Sequence, residues 1–260
     1  HVRKSLSAQV VMCKVPEAAT PSIKKPKAIR NEKLKVNKKV WTYRIYNMHH
    51  SSVALACVAI ALMGRQYWPS LTMVIFMWFY SDVYSAILHA ALDDKKSLNY
   101  PGIAPVARGF QDHHDYPMES TLGKGLHELC CDTVRIQWIT GSLSLLFSRS
   151  SYTTLLLIIL KWLTCAYGTQ VGHYYAHCGN HAPVFIRLLQ KTHLLLPPKA
   201  HWTHHIAPYE CNFGIVNGLA NYMMNPILLN SGPFYKFEVV LGAWIFLTCF
   251  DVAIIERIFA

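Results

Sequence analysis

The run YTTLLLIILKWLTCAYGTQVG, Tyr152 to Gly172, leads without a break into HYYAH, His173 to His177. The run is the most continuous apolar stretch in the chain and has the length a helix needs to cross a bilayer, about 20 residues. HYYAH places two imidazoles four residues apart, which on a helix means one face, one ring above the other. An apolar helix that ends in paired ligand-type side chains sets the theme for reading the rest.

The same residue type recurs around it. His201-Trp-Thr-His204-His205 adds rings at i, i+3 and i+4, His89 and Asp93 stand four apart at the end of an earlier apolar segment, His113-His114 and His127 follow, and His193 lies between the later groups. A single histidine on an apolar helix is usually a satisfied polar group. Ten of fourteen in compact groups is a ligand pattern, and only His1, His49, His50 and His181 stand apart. Imidazole suits iron, zinc and copper, and it binds in the neutral form that a pKa near ~6.5 allows at physiological pH.

Of the 260 residues, 52% are hydrophobic and 15% charged, against roughly a quarter charged in soluble domains. This argues against a soluble enzyme and for an all-α integral membrane protein. The net charge of +11 is concentrated at one end: residues 1–40 hold eleven Lys or Arg against Glu17 and Glu32, while the remainder holds fourteen basic against twelve acidic residues. With Pro16, Pro21 and Pro26 and no apolar periodicity, residues 1–44 are expected to form a disordered basic arm ahead of a membrane domain at 45–260. Next to an apolar body, the partner that suits this arm is anionic lipid, at about 1 kcal/mol per basic side chain near the surface, and not nucleic acid. The eight cysteines form no CxxC pair and read as packing residues in a reducing compartment.

Four apolar segments are expected as about four transmembrane helices in two hairpins: Ile45 to Gly64, Ser70 to Leu92, Thr133 to Phe147 and Tyr152 to Gly172. With the basic arm on the cytosolic or stromal side, each hairpin returns there. His89, His113, His114, His127, His173 and His177 then share that face. Pro183 to Leu196, interrupted by Arg187, Gln190, Lys191 and His193, is expected along the interface until Pro197-Pro198 stops it. Val239 to Ile255 contains Asp251 and is expected as an interfacial or hairpin helix in preference to a fifth span. Asp112, Asp115, Glu119 and Glu128 are candidates to orient ligand imidazoles.

Nine or ten imidazoles exceed the three or four protein ligands that one zinc takes, so two metals are the economical reading. A histidine-rich pair at a membrane surface suits non-haem iron, which with dioxygen removes hydrogen from unactivated carbon, chemistry beyond any side chain. The apolar spans supply a matching substrate, a lipid chain. No Gly-rich phosphate loop, GxSxG or HExxH points elsewhere.

HxxxH at His173 to His177 and HxxHH at His201 to His205 resemble two histidine boxes of membrane fatty-acid desaturases and hydroxylases. Five further stretches carry a narrower resemblance: His89-Ala-Ala-Leu-Asp93; Phe110-Gln111-Asp112-His113-His114; Leu126-His127; Leu189-Gln190 with His193-Leu-Leu-Leu-Pro197; and Ala207-Pro208-Tyr209 through Gly218 and Asn221. In order and spacing over about residues 70–225 they resemble the lipid desaturase family of Kua, plasmanylethanolamine desaturase, CarF and the plant plastid phosphatidylglycerol palmitate desaturase. The resemblance implies an oxidoreductase, a dioxygen-dependent lipid desaturase that introduces a double bond into the fatty-acyl or alkyl chain of a membrane phospholipid or ether lipid. It implies two non-haem iron ions held by His89, His113, His114, His127, His173, His177, His201, His204 and His205, with Asp93 and His193 supporting those ligands or adding to them. Electrons would come from a donor such as cytochrome b5 or ferredoxin, in the endoplasmic reticulum or a plastid membrane.

Other readings remain open at this point. The same oxidant makes a lipid hydroxylase. A metal transporter or metal-binding membrane protein would have ionisable residues within its spans, which Asp82 in the second apolar segment suggests unless Tyr80 or Ser81 satisfies it. A lipid-binding scaffold would keep its function when histidines are replaced.

Overall fold

The computed structural model describes residues 40–63, 71–149, 151–229 and 235–259, and every regular element among them is helical. Residues 1–39, most of the expected basic arm, lie outside the described residues. Helix α1 covers Val40–Met63, α2 Leu71–Asp93, α3 Ala104–Asp115 and α4 Leu126–Leu146. Helix α5, Tyr152–Lys161, passes through a widened π-type stretch at Trp162–Gly168 into α6, Thr169–Cys178. Four more helices follow: α7 at Val184–Lys191, α8 at Pro198–His204, α9 at Asn221–Leu228 and α10 at Phe237–Phe259.

The long apolar run and HYYAH are therefore one rod, which Ser151 starts by accepting the Thr154 N–H on its Oγ at 3.0 Å. Among the described residues three helices are long and apolar enough to cross a membrane: Leu71–Asp93, the 30-residue Tyr152–His181, and Phe237–Phe259. This differs from the expected two hairpins. Helices α1 and α4 form where their apolar segments predict, yet Asn47, His49 and His50 dilute the first and Asp132, Arg135 and Gln137 the second. Helix α10, expected at the interface because of Asp251, has the length and composition of a span.

Asp251 explains itself once the packing is seen. Helix α10 lies against α2, α4 and α5, and Asp251 Oδ2 meets Lys161 Nζ at 2.7 Å with both side chains 1% exposed. Tyr80 donates its hydroxyl to the same oxygen at 2.5 Å, and Lys161 also donates to Ser144 Oγ at 3.3 Å. Additional bonds of this kind are what a buried pair needs to offset its desolvation. Met73, Met77, Leu157, Ile158, Trp162, Val252 and Ile255 pack together in one buried cluster of this core.

Asp82 is satisfied by neither Tyr80 nor Ser81. Its Oδ1 accepts the backbone N–H groups of Val216 at 2.9 Å and Asn217 at 3.2 Å, and its Oδ2 accepts that of Ala220 at 2.9 Å. Ser85 Oγ accepts the N–H of Ile215, and Asn221 Oδ1 that of Gly214 at 2.7 Å. These bonds strap the 214–221 segment across α2. The segment also presses on α6: a Cβ at Gly172 would lie 2.5 Å from the Val216 carbonyl oxygen, so only glycine permits the approach next to His173.

Candidate metal centre

The helical ends bring the histidines together. Helix α2 delivers His89 and Asp93 from its last turn, α3 delivers His113 and His114 from its last turn, α6 supplies His173 and His177, and α8 with its C-cap supplies His201, His204 and His205. Residues four apart point the same way while neighbours diverge by about 100°. So His113 and His114 separate, as do His204 and His205, and two groups form: His113, His173, His177, His201 and His205 in one, His89, Asp93, His114 and His204 in the other.

In the first group the ring nitrogens converge. His113 Nε2 lies 2.9 Å from His173 Nε2 and 3.3 Å from His177 Nε2, while His201 Nε2 lies 2.8 Å from His177 Nε2 and 3.1 Å from His205 Nε2. In the second, Asp93 is the hub. Its Oδ2 is 3.3 Å from His89 Nε2 and 3.2 Å from His204 Nε2, and its Oδ1 is 3.1 Å from His114 Nε2. Within each group the candidate ligand atoms all lie within 4.8 Å of one another.

The outward nitrogens fix the tautomers. His89 Nδ1 donates to the Phe213 carbonyl at 3.0 Å and His204 Nδ1 to the Cys211 carbonyl at 2.8 Å. Ser120 spends its own proton on the Tyr116 carbonyl, so its oxygen accepts from His113 Nδ1 at 2.9 Å. Each of these rings therefore turns an Nε2 lone pair inward, the arrangement usual for ligand histidines. The orienting groups for these rings are carbonyls and a hydroxyl, not the loop carboxylates expected. Burial, and then the neighbouring rings, push His113, His201 and His205 below the ordinary histidine pKa, His205 to about 2. At neutral pH these rings are uncharged and available to a cation.

The donor set fits metal. His89 Nε2, both Asp93 oxygens, His114 Nε2 and His204 Nε2 are buried without a hydrogen-bond partner, a costly state that a cation among them relieves. Eight imidazoles and one carboxylate in two groups suit two first-row transition ions. Of the residues anticipated from sequence, His127 and His193 join neither group: His127 is exposed at the start of α4, and the His193 ring lies 6.5 Å from that of Tyr222. Asp93, anticipated as a support or an added ligand, faces its group directly. His50 stays apart, its Nδ1 2.9 Å from the Tyr167 hydroxyl. The Asp82 carboxylate is fully buried and tied to backbone amides.

Residues 78–243 match the model of the lipid desaturase domain, well over half of the chain. The chain belongs to the lipid desaturase domain family. This lipid desaturase domain is 24% identical over 213 residues to fatty acid desaturase 4-like 1, chloroplastic, of Arabidopsis thaliana, covering 78% of the chain and 71% of that protein. It is 26% identical over 146 residues to Arabidopsis fatty acid desaturase 4, chloroplastic, covering 56% and 44%. A 55-residue stretch is 38% identical to plasmanylethanolamine desaturase 1 of Mus musculus, covering 21% and 20%. No solved structure matches the lipid desaturase chain.

Proposed function

We propose that the chain is a membrane lipid desaturase that places a double bond in a fatty-acyl or alkyl chain of a phospholipid or ether lipid, using dioxygen and electrons from outside. The observation that carries this reading is the pair of adjoining ligand groups, eight imidazoles and Asp93, of which His89, Asp93, His173 and His177 stand at the ends of helices long and apolar enough to span a bilayer. Two non-haem irons held there would supply the dioxygen-dependent removal of hydrogen from adjacent unactivated carbons. His113, His173, His177, His201 and His205 would hold one ion, and His89, Asp93, His114 and His204 the other.

The chain's own part is to orient and to exclude water. The Phe213 and Cys211 carbonyls and Ser120 Oγ hold rings at Nδ1 so that Nε2 faces inward. Trp202 stands edge-on to His177 at 5.4 Å between ring centroids and Tyr209 on His114 at 4.6 Å, and both are exposed. They offer an apolar rim for a lipid chain to cross. With no flavin or haem motif in the sequence, a cytochrome b5 or ferredoxin type donor suits the electron supply. The relatives named chloroplastic support a plastid membrane, and the histidine groups would then lie on its stromal face.

Metal analysis of detergent-purified protein, with lipid product analysis in a desaturase-null host, tests the reading. About two irons per chain and a lipid with one added double bond are expected, both reduced in His204→Ala. One zinc per chain, an oxygenated product, or unchanged product from His204→Ala would overturn it.

A further inference from the structure

A cavity of about 560 Å³ lies where the end of α6, α7 and the start of α8 meet. Asn180 on its wall comes three residues after His177, and Lys199 two before His201, so the cavity adjoins the helices that carry the first ligand group. Arg187, Lys191 and Lys199 line it and no acidic residue does. No ion pair engages these three cations among the described residues. Arg187 and Lys191, four apart on α7, share a face.

Gln190 gives the second, independent sign. The residue lines the same cavity, is only 3% exposed, and its buried Nε2 finds no hydrogen-bond partner. An amide NH2 is purely a donor, and a buried donor without an acceptor is costly. Three cations and an idle donor in one cavity are what a phosphate group satisfies. The apolar side chains beside them separate a lipid from a solute. Val184 and Leu188 line the cavity, and with Phe185 they are 74%, 56% and 67% exposed on a helix that directly follows the candidate span Tyr152–His181. A helix with this division of cationic and apolar side chains suits the boundary of headgroups and acyl chains.

We propose that this cavity seats the phosphate of a membrane phospholipid, with Arg187, Gln190, Lys191 and Lys199 as its contacts and Val184 and Leu188 against the glycerol and upper chain. The role of the bound lipid as substrate rests on the desaturase reading above; the binding does not.

The test is calorimetric titration of the full detergent-purified chain with dihexanoyl phosphatidic acid, dihexanoylglycerol and inorganic phosphate. The phospholipid is expected to bind at least tenfold tighter than either of the others. R187Q/K191Q/K199Q should weaken it at least tenfold and Gln190→Leu at least threefold, with metal content unchanged as the sign that the fold is intact. Equal binding of the phosphate-free lipid, equal binding of inorganic phosphate, or parent-like binding by the triple variant overturns the proposal. Discriminating binding in a protein that makes no desaturated product leaves the cavity assigned and removes only the desaturase reading.

Discussion

The carboxylate of Asp82 accepts the backbone N–H of Val216 at 2.9 Å, a bond between residues 134 apart in sequence. With its bonds to Asn217 and Ala220 it holds in place the segment that follows Cys211 and Phe213, whose carbonyls aim His204 and His89. Asp82→Ala strands three buried donors and should cost about 3 kcal/mol or more. Thermal unfolding in detergent should show the loss, and metal content should fall although no ligand has changed.

The division of ligands predicts a division of metal. Asp93→Ala or His114→Ala should lose one ion per chain and leave the second, while His177→Ala should lose the other. His127→Ala should lose none, because that ring is exposed outside both groups. Elemental mass spectrometry of the purified variants reads all four; an ion lost from His127→Ala would contradict the assignment.

Lys161 and Asp251 should behave as a pair. Lys161→Met leaves a carboxylate buried at 1% exposure, and roughly 3–5 kcal/mol of destabilisation is expected. The double variant Lys161→Met with Asp251→Leu removes both charges and should recover most of that loss, measured as thermal unfolding of the four corners of the cycle.

Acid should empty and weaken the site. Burial holds His113, His201 and His205 below the ordinary histidine value, His205 at about 2. As pH falls through about 6.5 the unfolded chain takes up protons that the folded rings refuse, so the unfolded state binds more and stability declines. The slope is up to about 1.4 kcal/mol per pH unit for each ring. The stabilisation is complete above about pH 7 and is lost progressively below it. Metal retention measured from pH 8 to pH 5 should fall only as the fold itself is lost, since the folded rings stay unprotonated over that range.

Gly172→Ala tests how closely the strapped segment approaches α6. A Cβ there would sit 2.5 Å from the Val216 oxygen and 2.6 Å from the Ile215 oxygen, and backbone cannot move aside as a flexible side chain does. Reduced metal content with near-normal helical content is the expected result.

The histidine groups were legible because i, i+4 spacing on a helix is a local geometry, and His173 with His177 or His201 with His205 carry it in the sequence itself. What was not legible depends on contacts between distant residues. Asp251 reads as a charge that belongs in water until Lys161 is found 2.7 Å away, which is why α10 was expected at the interface. The orienting carbonyls of Phe213 and Cys211 leave no mark in composition, since every residue has one. His127 has the same chemistry as its neighbours and lies only thirteen residues beyond His114, yet it is exposed at the start of α4 and belongs to neither group.

Helices α3 and α8 each serve both ligand groups, through His113 and His114 and through His201, His204 and His205. An ion seated in one group immobilises helices that present donors to the other, so part of the ordering entropy for the second is already spent. Loading should be cooperative: in a titration of the metal-free chain the second ion binds more tightly than the first, and a variant left with one group should hold its single ion more weakly than the parent holds either.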